Sequence, residues 1–255
     1  MLRVGCVKYL NARPLIYGWA GAVDFDHPAA LCRKLELGDL DVALVSSLES
    51  LRRPIYRTVD GISISSRGPV YSVIVAHREE LSHIQEIKLD PASETSVALL
   101  KCLLAEHRLN PRLVRNVGSP SARPTLFKDA QLLIGDQAIR FRKKHSDYQL
   151  WDLGEEWKNA INLPFVFALW LIRPEIEKAK EIADALRRLR DHNLEKLDDL
   201  ISTQSEVSPA FCRKYYREHL FFDFGEREKA GLREFHHHCL LNKIDVAPDL
   251  QLNLV

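Results

Sequence analysis

Asn11, the Ser46-Ser47 pair, the hydroxyls of Ser93, Thr95 and Ser96, and the Gly135-Asp136 pair share one placement: each follows an apolar, strand-like run and precedes residues that can start a helix. That placement suits the binding of a small anion. Helix N-termini expose backbone N–H groups without intrahelical partners, and α/β proteins put ligands at the carboxyl ends of strands. Asn11 follows the buried-strand pattern Val4 to Tyr9 and comes just before Pro14, a residue at home in a first helical turn. Asn is also an ordinary helix N-cap, and the two roles are compatible. Ser46-Ser47 close DVALVSS, while Ser63, Ser65 and Ser66 close ISISS ahead of Arg67-Gly68-Pro69. Serines at strand ends are turn formers as well as ligand contacts.

LDPASETSVALLK reads as strand, turn and helix start. Its hydroxyls form either a capping box or, with the free N–H groups, a cradle for a carboxylate. In LLIGDQA, Gly135 permits close backbone approach, and Asp136 is either an N-cap or a general acid/base. The run His236-His237-His238-Cys239 lies in an amphipathic C-terminal helix pattern, where consecutive side chains point about 100° apart and cannot share one metal. His236 and Cys239, at i and i+3, fall short of a zinc ligand set, so no metal site is expected. The chain has no GxSxG, HExxH, Walker or Rossmann pattern.

Composition restricts the classes further. The 255 residues are 46% hydrophobic and 28% charged, enough for a substantial core in one or two domains. Lys plus Arg number 36 against 35 Asp plus Glu, so no electrostatic footprint for nucleic acid or an anionic membrane is present, and any anion must be bound locally. Five cysteines without a CxxC pair argue against a disulfide framework and for a reducing compartment. Lys8, Asn11 and Arg13 interrupt the N-terminus before any signal-like apolar region could form. A cytoplasmic protein without a membrane span is expected.

The elements that must position these groups alternate between strands and amphipathic helices, the pattern of a mostly parallel sheet flanked by helices. Strands are expected at 3–9, 41–45 and 56–65, with helices at 28–37, ended by Gly38, and at 48–53. After the Gly68-Pro69 break a strand at 70–76 opens a second series: strand 87–89, helix 95–107, strands 113–116 and 131–134, helix 137–144 and strand 149–153. The apolar run LPFVFALW predicts a buried strand at 165–171, too short to span a membrane, ending at the same cleft as the first strand. A long charged helix entered at Pro174 and a purely helical remainder follow. A chain that leaves one α/β lobe near residue 72 and returns near 167 has the organisation of a two-lobed, venus-flytrap protein: 1–72 with 167–255 in one lobe, 73–166 in the other.

YLNARPL, GDLDVALVSSLE, SRGPVYSV, LDPASETSVALLK, LLIGDQA and DLGEEW followed by LPFVFALW, taken in order, resemble the chorismate dehydratase family of the futalosine route of menaquinone biosynthesis. The resemblance covers residues 3 to about 171 motif by motif and the helical tail in character. One departure is Ile161-Asn162, where the family usually has Thr-Gly before Leu-Pro-Phe. The resemblance implies a type II periplasmic-binding-protein-like α/β fold with a central cleft, used as a cytosolic enzyme. It also implies loss of water from chorismate to give 3-[(1-carboxyvinyl)oxy]benzoate, with no cofactor. The related 1,4-dihydroxy-6-naphthoate synthase resembles the chain around TSVALL and LLIGD but carries a histidine base where this chain has Gly135. A solute-binding protein for a small carboxylate would share fold and cleft, and fold alone does not separate it from an enzyme.

For that reaction the substrate is a small dianion, which a ring of helix N-termini, Ser and Thr hydroxyls suits. The C3 hydrogen and the C4 hydroxyl of chorismate lie on one face, so the elimination is formally syn. Removing the C3 proton builds a dienolate that extends onto the ring carboxylate, and aromatisation drives hydroxide out. The protein must stabilise charge on that carboxylate and place a weak base near C3. Candidate bases are Asp136, Glu156 and the substrate's own enolpyruvyl carboxylate, the last favoured, with Asn11 orienting the substrate beside the leaving hydroxyl. Ser46, Ser47, Ser65, Ser66, Ser93, Thr95, Ser96 and Gly135 are the expected substrate contacts.

Overall fold

A computed structural model describes residues 2–90, 93–115, 130–205 and 207–255. The chain opens with β1 (Val4–Val7), a 3₁₀ turn (Leu10–Ala12), α1 (Arg13–Ile16), β2 (Val23–Asp26), α2 (Pro28–Leu37), β3 (Val42–Ser46), α3 (Ser47–Arg52) and β4 (Arg57–Ser66). It continues through β5 (Val73–His77), a 3₁₀ turn (Leu81–His83), β6 (Glu86–Leu89), α4 (Glu94–Glu106), β7 (Arg112–Arg115), β8 (Ala130–Ile134), α5 (Gly135–Lys144), β9 (Gln149–Asp152) and α6 (Leu153–Ile161). The last part holds β10 (Phe165–Ile172), α7 (Ala179–Glu195), α8 (Leu197–Ser202), α9 (Pro209–Lys214), a π-helical turn (Tyr215–His219), α10 (Glu226–Leu241) and β11 (Asn253–Leu254).

The strands form two sheets, one of order β11-β4-β10-β3-β1-β2 and one of order β7-β6-β8-β5-β9. The first is built from both ends of the chain, the second from its middle. Each is mostly parallel with one strand reversed: β10 runs antiparallel to both β3 and β4, and β5 antiparallel to both β8 and β9. In each sheet the reversed strand is the one that follows a crossing between sheets: β5 is the first strand of the second sheet, and β10 returns to enter the first between β3 and β4. β10 is buried along nearly its whole length, which explains its continuous apolar sequence.

Local chemistry sets the ends of the elements. α2 starts with Pro28 at its first position and stops at Gly38, whose φ of 80° is the left-handed turn glycine allows without strain. The Ser93 hydroxyl accepts from Ser96 N at 3.2 Å and caps α4. Asp152 caps α6, and its carboxylate also accepts the N–H groups of Val70 (3.0 Å) and Tyr71 (2.8 Å), tying the crossing between sheets to this helix. α6 was not among the expected elements, although Leu153, Trp157 and Ile161 recur every four residues along one face. β2 was also unexpected: it lies at a sheet edge, and its Val-Asp-Phe-Asp alternation is only four residues long. α7 begins at Ala179 rather than Pro174, after a turn in which Ile176 N donates to Arg173 O at 3.2 Å. β11 interrupts the helical C-terminal part with a short parallel pairing to β4. The strand expected at 113–116 ends at Arg115; Asn116 lies outside the described residues, as do Pro91 and Ala92 of the LDPASET motif. Among the described residues no helix is long and apolar enough to cross a membrane.

Candidate active site

The carboxyl end of β1, the N-terminus of α4, the end of β3 and the start of α5 converge on one cavity between the two sheets, with about 580 Å³ of empty space, part of it open to solvent. Val7, Val45, Ile64, Val70, Val73, Ile134 and Phe167 supply apolar walls. Its polar lining comes from Asn11, Ser46, Ser72, Ser93, Thr95 and Ser96, with Glu94 the one ionisable carboxyl. Among the described residues no lysine, arginine or histidine lines it. An anion here meets hydroxyls, an amide and the N-terminal N–H groups of the thirteen-residue helix α4, whose dipole favours negative charge.

Asn11 sits in the middle of the 3₁₀ turn and makes no capping hydrogen bond. Its Oδ1 is buried without a hydrogen-bond partner among the described residues. A buried, unsatisfied acceptor costs about 1–3 kcal/mol. The N-cap role drops out, and Oδ1 is left with its capacity to accept a hydrogen bond unused among the described residues. The turn itself is clamped: Leu10 N donates to Asp136 Oδ1 at 3.0 Å, and Tyr216 Oη donates to Leu10 O at 2.8 Å.

Ser46 and Thr95 cap each other's helices. Thr95 N, in the first turn of α4, donates to Ser46 Oγ at 3.1 Å, and Leu48 N, in the first turn of α3, donates to Thr95 Oγ1 at 3.0 Å. The two hydroxyls touch. Two helix N-termini, both electropositive ends, thus face one another across neutral oxygens. Glu94 in the same turn is held by Arg52 at 3.1 Å and Arg115 at 3.0 Å. Burial works against its charge, but those two guanidinium groups outweigh it, so its carboxyl lies below the usual value.

Gly135 has φ of 54°, and a Cβ there would lie 2.9 Å from Cγ of Tyr9. The absent side chain lets the Tyr9 ring, another lining group, lie on the α5 terminus. Burial, then the charges of Asp90 and Asp136, push the Tyr9 phenol upward and keep it neutral.

Of the expected site residues, Asn11, Ser46, Ser93, Thr95, Ser96 and Gly135 therefore line one cavity. The others point elsewhere. Ser47 donates to Val166 O at 2.6 Å beneath the sheet. Ser65 donates to Phe221 O at 3.1 Å, as Ser63 does to Asp223 O at 2.5 Å, so the β4 serines fasten the C-terminal segment. Ser66 Oγ is buried under α6, close enough to Gly154 that a Cβ there would come within 2.7 Å of it. Asp136 lines a neighbouring cavity with Lys8, Arg13 and Arg140 and serves as the acceptor for Leu10. Glu156, on the outer side of α6, is occupied by His107 Nε2 (3.0 Å) and Trp151 Nε1 (3.0 Å), away from the cavity. Helical position decides this: Glu156 falls a turn beyond the Asp152 cap.

Ser72, Tyr9 and Phe167 are lining residues that sequence reasoning passed over. Ser72 lies within the quoted SRGPVYSV motif, inside the strand expected at 70–76, and was not singled out as a contact. Among the described residues no group of three or more His, Cys, Asp or Glu side chains could hold a metal. In the His236–Cys239 run, His236 Nε2 pairs with Ala247 O at 2.7 Å and Cys239 is buried, so the run serves packing. Asn162 at the end of α6 adopts φ of 62°, a left-handed turn Asn tolerates, which accounts for an Asn where a Gly was expected.

The model of a family described as menaquinone biosynthesis matches residues 2–240. A chorismate dehydratase of Thermus thermophilus is 32% identical, covering 91% of this chain and 93% of its own. A chorismate dehydratase of Campylobacter jejuni is 24% identical, covering 91% of this chain and 90% of its own. Among solved structures, the periplasmic aliphatic sulphonate binding protein of Escherichia coli superposes with a TM-score of 0.65 at 12% identity, covering 99% of this chain and 94% of that one. The fold is the two-lobed α/β fold of periplasmic binding proteins.

Proposed function

From the premise that this chain belongs to the menaquinone biosynthesis family, we propose that it is a chorismate dehydratase, a carbon–oxygen hydro-lyase acting in the cytoplasm without a cofactor. Residues 1–72 with 167–255 form one lobe of the proposal and 73–166 the other, closing on substrate between them. The observation that carries it is the buried Oδ1 of Asn11, without a partner among the described residues, in a cavity whose polar rim is made of hydroxyls and a helix N-terminus.

Chorismate is a dianion, and its ring carboxylate is seated at the α4 terminus by the N–H and hydroxyl groups around Ser93 and Ser96, displacing part of the Ser46–Thr95 contact. Charge that develops on this carboxylate as the C3 proton leaves is stabilised by the same donors, already aimed at it. Asn11 accepts from the C4 hydroxyl through Oδ1 and orients it on the face from which the C3 proton departs. The C3–H electrons form the ring double bond, the C4–O bond breaks, and hydroxide leaves with the proton as water. The enolpyruvyl carboxylate of chorismate itself accepts the C3 proton and passes it to the departing hydroxide. Glu156 is committed elsewhere, and Asp136 acts by holding Leu10.

Incubation of the protein with chorismate while the ultraviolet spectrum is recorded tests this. Conversion of the cyclohexadiene to an aromatic product, 3-[(1-carboxyvinyl)oxy]benzoate, supports it. Binding without turnover would leave a solute-binding protein, and no binding would refute the chorismate reading.

A further inference from the structure

Two consecutive tyrosines near the C-terminal end reach the two cleft segments that the proposed chemistry uses. Tyr215 and Tyr216 open the π-helical turn that follows α9, closed by Leu220 N donating to Tyr215 O at 3.1 Å. Single π turns of this kind concentrate at functional sites because they re-aim neighbouring side chains. Both tyrosines are buried. Tyr215 Oη donates to Ser72 Oγ at 2.7 Å, and Tyr216 Oη donates to Leu10 O at 2.8 Å, contacts that span 143 and 206 residues of sequence.

The hydrogens decide what Ser72 can do. A serine hydroxyl has a single hydrogen to give. Burial drives the Tyr215 phenol well above its ordinary value, so Tyr215 keeps its proton and Ser72 Oγ is the acceptor of that bond. The hydrogen of Ser72 then has, among the described residues, only the Val70 carbonyl at 3.5 Å, the outer limit of a hydrogen bond. The Ser72 backbone cannot turn away, because its carbonyl accepts Gly135 N at 2.7 Å. The hydroxyl hydrogen is thus available to an acceptor in the cavity that Ser72 lines. On the other arm, the Leu10 carbonyl belongs to the peptide that carries the Asn11 nitrogen, so its bond to Tyr216 sets the orientation of Asn11.

We propose that Tyr215 and Tyr216 are paired positioning residues: Tyr215 commits the Ser72 hydroxyl as a hydrogen-bond donor to a substrate carboxylate, and Tyr216 holds the Leu10–Asn11 peptide in register with it. The inference rests on the reading of the cavity as a chorismate site.

A double-mutant cycle tests it on the full chain with chorismate, kcat and KM being measured for Tyr215→Phe, Ser72→Ala and the double variant. Loss of a donor to a charged group is expected to raise KM about tenfold in each single variant, with kcat changed less than about threefold. The double variant is expected to be no worse than Ser72→Ala by more than about twofold, since Tyr215 acts only through Ser72. Tyr216→Phe is expected to lower kcat about tenfold with KM within about twofold, because it loosens the peptide bearing Asn11. Losses that multiply in the Tyr215/Ser72 cycle, or a wild-type KM in Tyr215→Phe, overturn the proposal. If Tyr215→Phe fails to fold, a wild-type KM in Ser72→Ala overturns it equally. An inactive wild-type protein refutes the chorismate reading and the inference with it, whereas an active wild type with multiplying losses refutes the positioning role alone.

Discussion

Asn11→Ala separates a structural from a functional role by the sign of its effect on stability. The buried Oδ1 of Asn11 has no partner among the described residues, and such an acceptor costs about 1–3 kcal/mol in the unliganded fold. Truncation removes that cost and gives up side-chain packing on the order of 1 kcal/mol. The net change is from roughly zero to about 2 kcal/mol of added stability, which for a chain of this size corresponds to a melting temperature unchanged or raised by up to about 8 °C. An N-cap would behave oppositely, losing about 1 kcal/mol and about 2–4 °C. Turnover is expected to fall by at least about a hundredfold, the usual loss when one preorganised polar group is removed from a reacting centre. Differential scanning fluorimetry and the ultraviolet chorismate assay on the same preparation read both quantities. A melting temperature lowered by more than about 4 °C together with turnover within threefold of wild type would refute the reasoning.

Thr95→Val removes the acceptor for Leu48 N and the partner of Ser46, so it is expected to cost about 1–2 kcal/mol in denaturant unfolding and to weaken ligand binding in calorimetry, while Thr95→Ser retains both. Gly135→His places a side chain at φ of 54°, with its Cβ against the Tyr9 ring; a loss of about 1–2 kcal/mol from backbone strain is expected, and no naphthoate synthase activity. Glu156→Gln is expected to stay within about threefold of wild-type turnover, and Asp136→Asn to lower kcat about tenfold by loosening Leu10; a collapse in the Glu156 variant would return the proton to that residue. Glu94, with its carboxyl held below the ordinary 4.5, contributes stability that is present above that pH and is lost as pH falls through its folded-state value. The stability gap between wild type and Glu94→Gln should therefore be full at pH 7 and close in acid below about 4.5; a gap that widens there would contradict the Arg52 and Arg115 pairing.

Local sequence determined the pieces. The buried runs of β1, β3 and β10, the Pro28 start and Gly38 stop of α2, and the Ser93 cap all follow from periodicity and end chemistry that act within a few residues. The same signals placed Asn11, Ser46, Ser93, Thr95, Ser96 and Gly135 at strand ends and helix starts, which is why these six share a cavity. Only the tertiary structure decided the reversed direction of β10 and β5 within otherwise parallel sheets, because strand direction depends on neighbours far away in sequence. It also decided which serines face the cavity: alternation along β4 sends Ser63 and Ser65 to the C-terminal segment, and that choice depends on what covers each face. Glu156 looked reactive in sequence and is spent on His107 and Trp151, partners brought to it by α4 and β9. Ser72 read as one more residue of a strand and lines the cavity under the hydroxyl of Tyr215. A hydrogen bond across 143 residues leaves no trace in periodicity, since both ends are polar groups whose meeting is arranged entirely by the sheets between them.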